Sequence, residues 1–165
     1  MKKCLNSVFE LVVLVFCFIS VISCTNDNKF EMLQKQVANR VKRNVETIHT
    51  VWIEKHALTN EESLQFMKGT DYEKNMTKAF NRDRELAKQL MDSIKTDFEI
   101  IKRDYSNKDS YNELVSLYSN LQEYYNIAVN PKGLNDRTPI NAEQLRMDLE
   151  KQIMEFELKH IKESE

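Results

Sequence analysis

The sequence predicts an all-α protein: an antiparallel up-down-up-down four-helix bundle whose two N-terminal helices are longer than the two that follow. Turn-forming residues are rare, with only two glycines and two prolines in 165 residues. Apolar residues recur every three or four positions over four long segments, which is the pattern of amphipathic helices. The connections between these segments are short and polar, which favours antiparallel packing of neighbouring helices.

The first predicted helix covers residues 28–57, where an apolar stripe faces a charged surface. Thr59 and Glu62 have the spacing of a capping box, which predicts a short helix over 60–68. Gly69 follows where a helix end favours a residue with positive φ. The stripe of the first helix consists of Phe30, Leu33, Val37, Val41, Val45, Ile48 and Trp52.

A second long helix is predicted over 71–106, with Thr70 and Glu73 forming another capping box. Its apolar stripe turns polar at 81–84, so we expect a break there. The stripe consists of Tyr72, Met76, Phe80, Ala87, Leu90, Ile94, Phe98, Ile101 and Tyr105.

The third and fourth helices are predicted over 110–129 and 140–163. Ser110 and Glu113 have capping-box spacing at the start of the third helix. Residues 130–133 match a type I turn between the two helices. Their stripes are Tyr111, Leu114, Tyr118, Leu121, Tyr125 and Ala128 in the third helix, and Leu145, Leu149, Ile153 and Phe156 in the fourth.

The N-terminus has the features of an export signal. Lys2 and Lys3 precede a short apolar run at 11–22, and the run ends beside a small residue and Cys24. Because a membrane-spanning helix needs about 20 apolar residues, we expect that this run does not remain as one.

Val21-Ile22-Ser23-Cys24 resembles a bacterial lipobox. The resemblance implies cleavage after Ser23, a thioether-linked diacylglycerol on Cys24, and an acylated new N-terminus carrying chains such as palmitate. The organisation that follows is a signal peptide at 1–23, a short tether at 24–29 and a helical bundle domain at 30–163. Multiple acyl chains give stable membrane anchoring. The expected location is the cell envelope, with the outer membrane favoured and the leaflet open; an ordinary secretory signal with a chance cysteine is the alternative.

Composition argues against several function classes. Removal of residues 1–23 takes away two lysines and one glutamate and moves the formal net charge from −2 to −3, whereas nucleic-acid binding needs a basic face. Cys4 and Cys17 leave with the signal and Cys24 carries lipid, so no disulfide or cysteine metal site is expected. A glycine-rich phosphate loop and a nucleophile elbow are absent from the sequence. We therefore expect no enzymatic activity and no cofactor besides the covalent lipid.

Two Glu-x-x-His motifs, Glu46 to His49 and Glu157 to His160, are the sharpest enzymatic lead, since di-iron bundles use this motif on two helices. However, Glu46 is predicted to face solvent, and antiparallel helices would separate the two histidines by about 30 Å. We expect no metal site.

The predicted partner surface combines aromatic and methionine residues, which are enriched at interfaces. Four of them gather at the end of the bundle away from Cys24, and a fifth lies on the third helix: Trp52, Phe66, Met67, Tyr72 and Tyr124. The alternative for the first four is a small satellite core. The tyrosines of the third helix favour a core, with a ligand-binding groove as the alternative.

These observations predict a membrane-anchored, non-enzymatic envelope lipoprotein that binds or scaffolds another envelope protein, as an accessory to a secretion or envelope complex. A small hydrophobic-ligand binder or carrier, and an inhibitor or immunity lipoprotein, are the alternatives.

Overall fold

The computed structural model describes the backbone of residues 2–129 and 138–161, and the side chains of residues 27–129 and 141–161. Within these ranges every regular element is an α-helix, which confirms the all-α prediction. The predicted turn at 130–133 lies outside the described residues. The helices are α1 (Lys2–Thr59), α2 (Glu61–Met67), α3 (Asp71–Tyr105), α4 (Tyr111–Val129) and α5 (Thr138–His160).

Helix α1 begins much earlier than the predicted start at residue 28. It runs without interruption from Lys2 to Thr59 and includes the predicted tether at 24–29. The tether sequence contains neither glycine nor proline, so nothing in it breaks a helix. The boundaries of the signal peptide, the tether and the bundle domain stay a prediction.

Helix α2 confirms the predicted short helix, but its N-cap is Asn60 and not Thr59. The Asn60 Oδ1 atom accepts hydrogen bonds from the backbone N–H groups of Glu62 at 3.0 Å and Ser63 at 3.1 Å. The Thr59 hydroxyl donates to the carbonyl oxygen of Lys55 at 2.9 Å. Thr59 therefore closes α1, and the asparagine side chain one residue later caps α2.

The turn between α2 and α3 follows the sequence prediction closely. Gly69 has a φ of 77°, a conformation that glycine adopts at little cost. Thr70 Oγ1 accepts from the Glu73 N–H at 3.3 Å, as a capping box requires. The Glu73 carboxylate in turn accepts from the N–H of Gly69 at 2.6 Å, so the box closes one residue earlier than expected.

Helix α3 passes through 81–84 without the expected break. Asp83 occupies the core-facing position that continues the apolar stripe, and it is only 8% exposed. The neighbouring Arg82 donates from Nε and Nη2 to its two carboxylate oxygens at 2.6 and 2.9 Å. A paired, buried aspartate thus replaces an apolar residue in a continuous helix.

The predicted Ser110–Glu113 capping box is replaced by contacts with other helices. The buried Ser110 hydroxyl accepts a hydrogen bond from Gln34 Nε2 of α1. The Glu113 carboxylate contacts Lys159 Nζ at 2.5 Å and His160 Nε2 at 3.1 Å on α5. Both side chains that local spacing assigned to a cap are therefore used in tertiary contacts.

Contacts at two positions along α1 define the direction of α3. The rings of Phe30 and Tyr105 stack at 4.8 Å between centroids, and Arg40 pairs with Asp97 further along. Residues further along α1 therefore contact residues earlier in α3, so the two helices run antiparallel.

Helices α4 and α5 are also antiparallel, since Glu113 meets Lys159 while Asn120 donates to Gln152 at 2.9 Å. Helix α1 contacts both of them as well as α3. The largest fully buried side chains, which lie in the core that these helices share, are Tyr124, Phe156, Ile48, Ile94, Ile101, Leu114, Leu117, Leu121 and Leu149.

Candidate functional site

Two large apolar side chains are exposed on either side of residues 68–70, the turn between α2 and α3 (the α2 turn). Phe66 is 88% exposed at the end of α2, and Tyr72 is 60% exposed at the start of α3. Gly69 and the Thr70 cap fix the chain between them. The turn thus presents two aromatic rings on a locally defined backbone.

The other three residues of the predicted partner surface are buried, which corrects that prediction. Trp52 is 6% exposed, Met67 is 7% exposed and Tyr124 is 1% exposed. Trp52 belongs to the main core, and Met67 faces inward from α2. Of the two adjacent tyrosines on α4, Tyr124 faces the core and Tyr125 is the one that remains half-buried. Of the five residues predicted to form the partner surface, only Phe66 and Tyr72 are therefore exposed.

Near the C-terminal end of α1, Trp52 packs against polar groups of the same helix. The ring of His56 meets the Trp52 ring edge-on, 4.4 Å away between centroids. The Lys55 Nζ atom lies 5.5 Å from the centroid of the same ring. Lys55 is 3% exposed, and burial lowers the pKa of its amine. A largely desolvated cation thus lies beside the core tryptophan.

Glu54, the residue before Lys55, forms an acidic pair with Asp83 where α1 faces α3. Burial, followed by the charge of Asp83, raises the pKa of Glu54, while the charge of Arg82 partly opposes both. Glu54 Oε2 is buried and has no hydrogen-bond partner among the described residues. Proximity to a second carboxylate and the unpartnered oxygen both favour the protonated form of Glu54.

The tyrosines of the predicted core or groove pack against phenylalanines. Tyr118 stacks on Phe98 at 5.0 Å between centroids, and Tyr111 lies 6.3 Å from the same ring. Burial raises the pKa of the Tyr124 hydroxyl well above its usual range. These contacts favour the core interpretation of the tyrosines over a ligand groove.

The two Glu-x-x-His motifs have different partners. His160 Nε2 contacts the Glu113 carboxylate at 3.1 Å, whereas His49 lies near Glu143. The pKa of Glu143 is lowered chiefly by its hydrogen bond to Arg146, with a smaller contribution from His49. Glu46 is exposed as predicted. Among the described side chains, no group of three or more histidine, cysteine or acidic residues is arranged to hold a metal ion.

Buried polar residues on α1 were missed by the sequence analysis. Gln34, Asn44 and Lys55 are 5%, 0% and 3% exposed. They lie on the same inward face of α1 as Val41 and Ile48. Successive members of this set of five are three, four or seven residues apart, which is the spacing of one helix face. That spacing was the only sequence signal for their burial.

The predicted lipidation site is placed by its backbone alone. Cys24 and Ser23, the residue after which cleavage is predicted, lie within α1, and their side chains are outside the described residues. Just after them, Asp27 pairs with Lys108 at 2.5 Å and ties α1 to the α3–α4 connection. In the part of the chain with described side chains, no helix has an apolar segment long enough to cross a membrane.

Comparison with protein-family models, with curated proteins and with solved structures found no match to this chain.

Proposed function

We propose that this protein is a lipid-anchored component of the bacterial cell envelope, most simply of the outer membrane, that binds another envelope protein without catalysing a reaction. The carrying observation is the lipobox-like Val21-Ile22-Ser23-Cys24 at the end of a charged and apolar leader. The exposed rings of Phe66 and Tyr72 support the binding role.

The mechanism proposed is a tether with a rigid arm. We infer that α1, α3, α4 and α5 form an up-down-up-down bundle. The antiparallel α1–α3 and α4–α5 contacts support this arrangement. At 1.5 Å per residue, the helix from Cys24 to Thr59 spans about 50 Å. Lipid on Cys24 would therefore hold one end at the membrane while the α2 turn lies far from it.

Lipid attachment is tested by metabolic labelling with an alkyne fatty acid in a bacterial host. The wild-type chain is expected to incorporate label and to fractionate with membranes. The Cys24→Ala variant should lose the label and retain its leader, whereas Cys17→Ala is a matched control that should behave as wild type. Labelling that persists in Cys24→Ala would exclude the proposed anchor.

Protein binding is tested by crosslinking the lipidated protein in its native membrane and recovering it with its neighbours. A stoichiometric envelope protein should be recovered with wild type and be lost with a Phe66→Ser, Tyr72→Ser double variant. An exposed control on α4, Glu123→Ser, should retain it. Recovery of extracted lipid or another small molecule in place of a protein would favour the carrier alternative.

A further inference from the structure

A cleft of about 230 Å³ lies between α1 and α5. Its floor is apolar, since it is formed by the side chains of Val45 and Ile153. These two residues are 1% and 3% exposed. Met154 lines it from α5 and is 56% exposed, so its flexible side chain is accessible from solvent. The remaining lining residues are charged: Lys42, Glu46, Glu150 and Glu157.

The apolar surface continues from the cleft along α5. Met147 and Leu158 are 52% and 82% exposed, and they lie seven residues before and four residues after Met154, which places all three on one helix face. The stripe from Met147 to Leu158 is about 16 Å long, or three helical turns. On α1, Ile53 is 53% exposed and lies seven residues after Glu46, on the same edge of that helix. The surface is therefore long enough for a short helix to lie on it.

The walls of the cleft carry unneutralised negative charge. Glu46 on α1 and Glu157 on α5 form no ion pair with any described residue. Glu150 is paired with Arg146, which also binds Glu143. Lys42 is the single cation in the lining. Both helices thus place a carboxylate without an ion-pair partner beside an apolar floor.

We propose that this cleft binds a basic amphipathic α-helix of another protein. The apolar face of that helix would pack on Val45, Ile153 and Met154, and its lysines or arginines would pair with Glu46 and Glu157. Methionines suit such a groove because their flexible side chains adapt to different partners. A second copy of this chain fits less well, since a symmetric contact would place the same carboxylates against each other. The proposal is independent of the lipid anchor and of Phe66 and Tyr72.

The test uses the full chain, labelled with ¹³C at the methionine methyl groups and inserted in nanodiscs of zwitterionic lipid. The probe is a synthetic amphipathic helix with leucines at helical spacing and lysines on its flanks; in a second peptide glutamates replace the lysines. The methyl resonances of Met147 and Met154 are expected to shift with the lysine peptide alone. The resonance of Met67, which is buried on α2, should not shift.

Charge reversal provides the decisive comparison. A Glu46→Lys, Glu157→Lys variant should bind the lysine peptide at least about tenfold more weakly, since two favourable pairs become repulsive. Glu31→Lys, Glu123→Lys makes the same charge change at exposed positions outside the cleft and should retain affinity. If the first variant loses helicity, Glu46→Gln with Glu157→Gln, which keeps the side-chain shapes, takes its place.

Three results would overturn the proposal. They are equal shifts with both peptides, equal affinity for the cleft variant and its control, and binding no stronger than that to empty nanodiscs. None of them bears on whether Cys24 is lipidated or whether the α2 turn binds a partner.

Discussion

The side chain of Lys55 on α1 reaches the C-terminal end of α4, where its Nζ atom lies 3.3 Å from the carbonyl oxygen of Ala128. The carbonyl oxygen of Ile127 is 3.4 Å away. The last carbonyl groups of a helix have no partner within it, and they carry partial negative charge. A buried lysine from one helix therefore caps the end of another.

Replacement of Lys55 by methionine tests this contact, because methionine keeps the unbranched apolar stem and removes the amine. We expect the free energy of unfolding to fall by about 1–3 kcal/mol, since the α4 carbonyls lose a charged donor. Urea denaturation of the full chain in detergent measures it. Lys42→Met, at an exposed position on the same helix, should change it by less than about 0.5 kcal/mol. Equal effects of the two variants would refute the capping role.

The long helices could be predicted from sequence because their signal is local and repeated. The stripe from Phe30 to Trp52 gave α1 its core face, and Gly69 with Thr70 marked the start of α3. Periodicity over many turns averages out single polar residues. Four consecutive polar residues at 81–84 were enough to suggest a break, but Arg82 pairs with the buried Asp83 and the helix continues.

Other features could not be predicted because they depend on neighbours distant in sequence. Trp52 was assigned to a partner surface, yet packing against the core buries it. Ser110 and Glu113 have capping-box spacing, but Gln34, Lys159 and His160 compete for their side chains. The exposed apolar face of α5 beside the cleft could not be predicted either, since Met147 and Leu158 lie outside the main apolar stripe of this helix.

Glu54→Gln is expected to stabilise the protein at neutral pH. Burial and Asp83 raise the Glu54 pKa above its ordinary value of 4.5, so the folded state binds this proton more tightly than the unfolded state. Its contribution to stability is complete below pH 4.5 and is lost as the pH rises through the folded pKa. The side chain is partly exposed, so we expect a gain of less than about 1 kcal/mol at pH 7. Urea denaturation at pH 4 and pH 7 should show the gain only at the higher pH, and Glu46→Gln serves as the exposed control.

Glu113 should have the opposite pH dependence. The hydrogen bond from Lys159, and then that from His160, lower its pKa below the ordinary 4.5. Its stabilising contribution is therefore present above that value and is lost as the pH falls through the folded pKa. Because its side chain is 37% exposed, we expect Glu113→Gln to reduce stability by no more than about 1 kcal/mol. Titration of unfolding against pH should give a shallower acid limb for Glu113→Gln, while an unchanged limb would contradict the prediction.

Asn44 is expected to destabilise the fold. It is completely buried, and neither atom of its amide has a hydrogen-bond partner among the described residues. Burial of an unpaired amide costs about 1–3 kcal/mol, and leucine has a similar size and suits the stripe of Val41 and Ile48. Asn44→Leu should therefore raise the free energy of unfolding by about 1–3 kcal/mol. The reverse change at a neighbouring core position, Val41→Asn, should lower it, and a destabilised Asn44→Leu would mean that the amide is satisfied by bound water.

The division between core and surface at the α2 turn predicts opposite behaviour for Trp52 and Phe66. Trp52→Ala removes a side chain that is 6% exposed and packs with His56 and Lys55, so unfolding free energy should fall by about 3–5 kcal/mol. Phe66→Ala removes a ring that is 88% exposed and should change it by less than about 0.5 kcal/mol. At temperatures where both variants remain folded, Phe66→Ala should lose capture of the membrane partner and Trp52→Ala should retain it. The reason is that only the exposed ring of Phe66 is available for contact. If Phe66→Ala instead destabilised the protein as Trp52→Ala does, Phe66 would be part of the core, and the partner surface would have to be sought elsewhere.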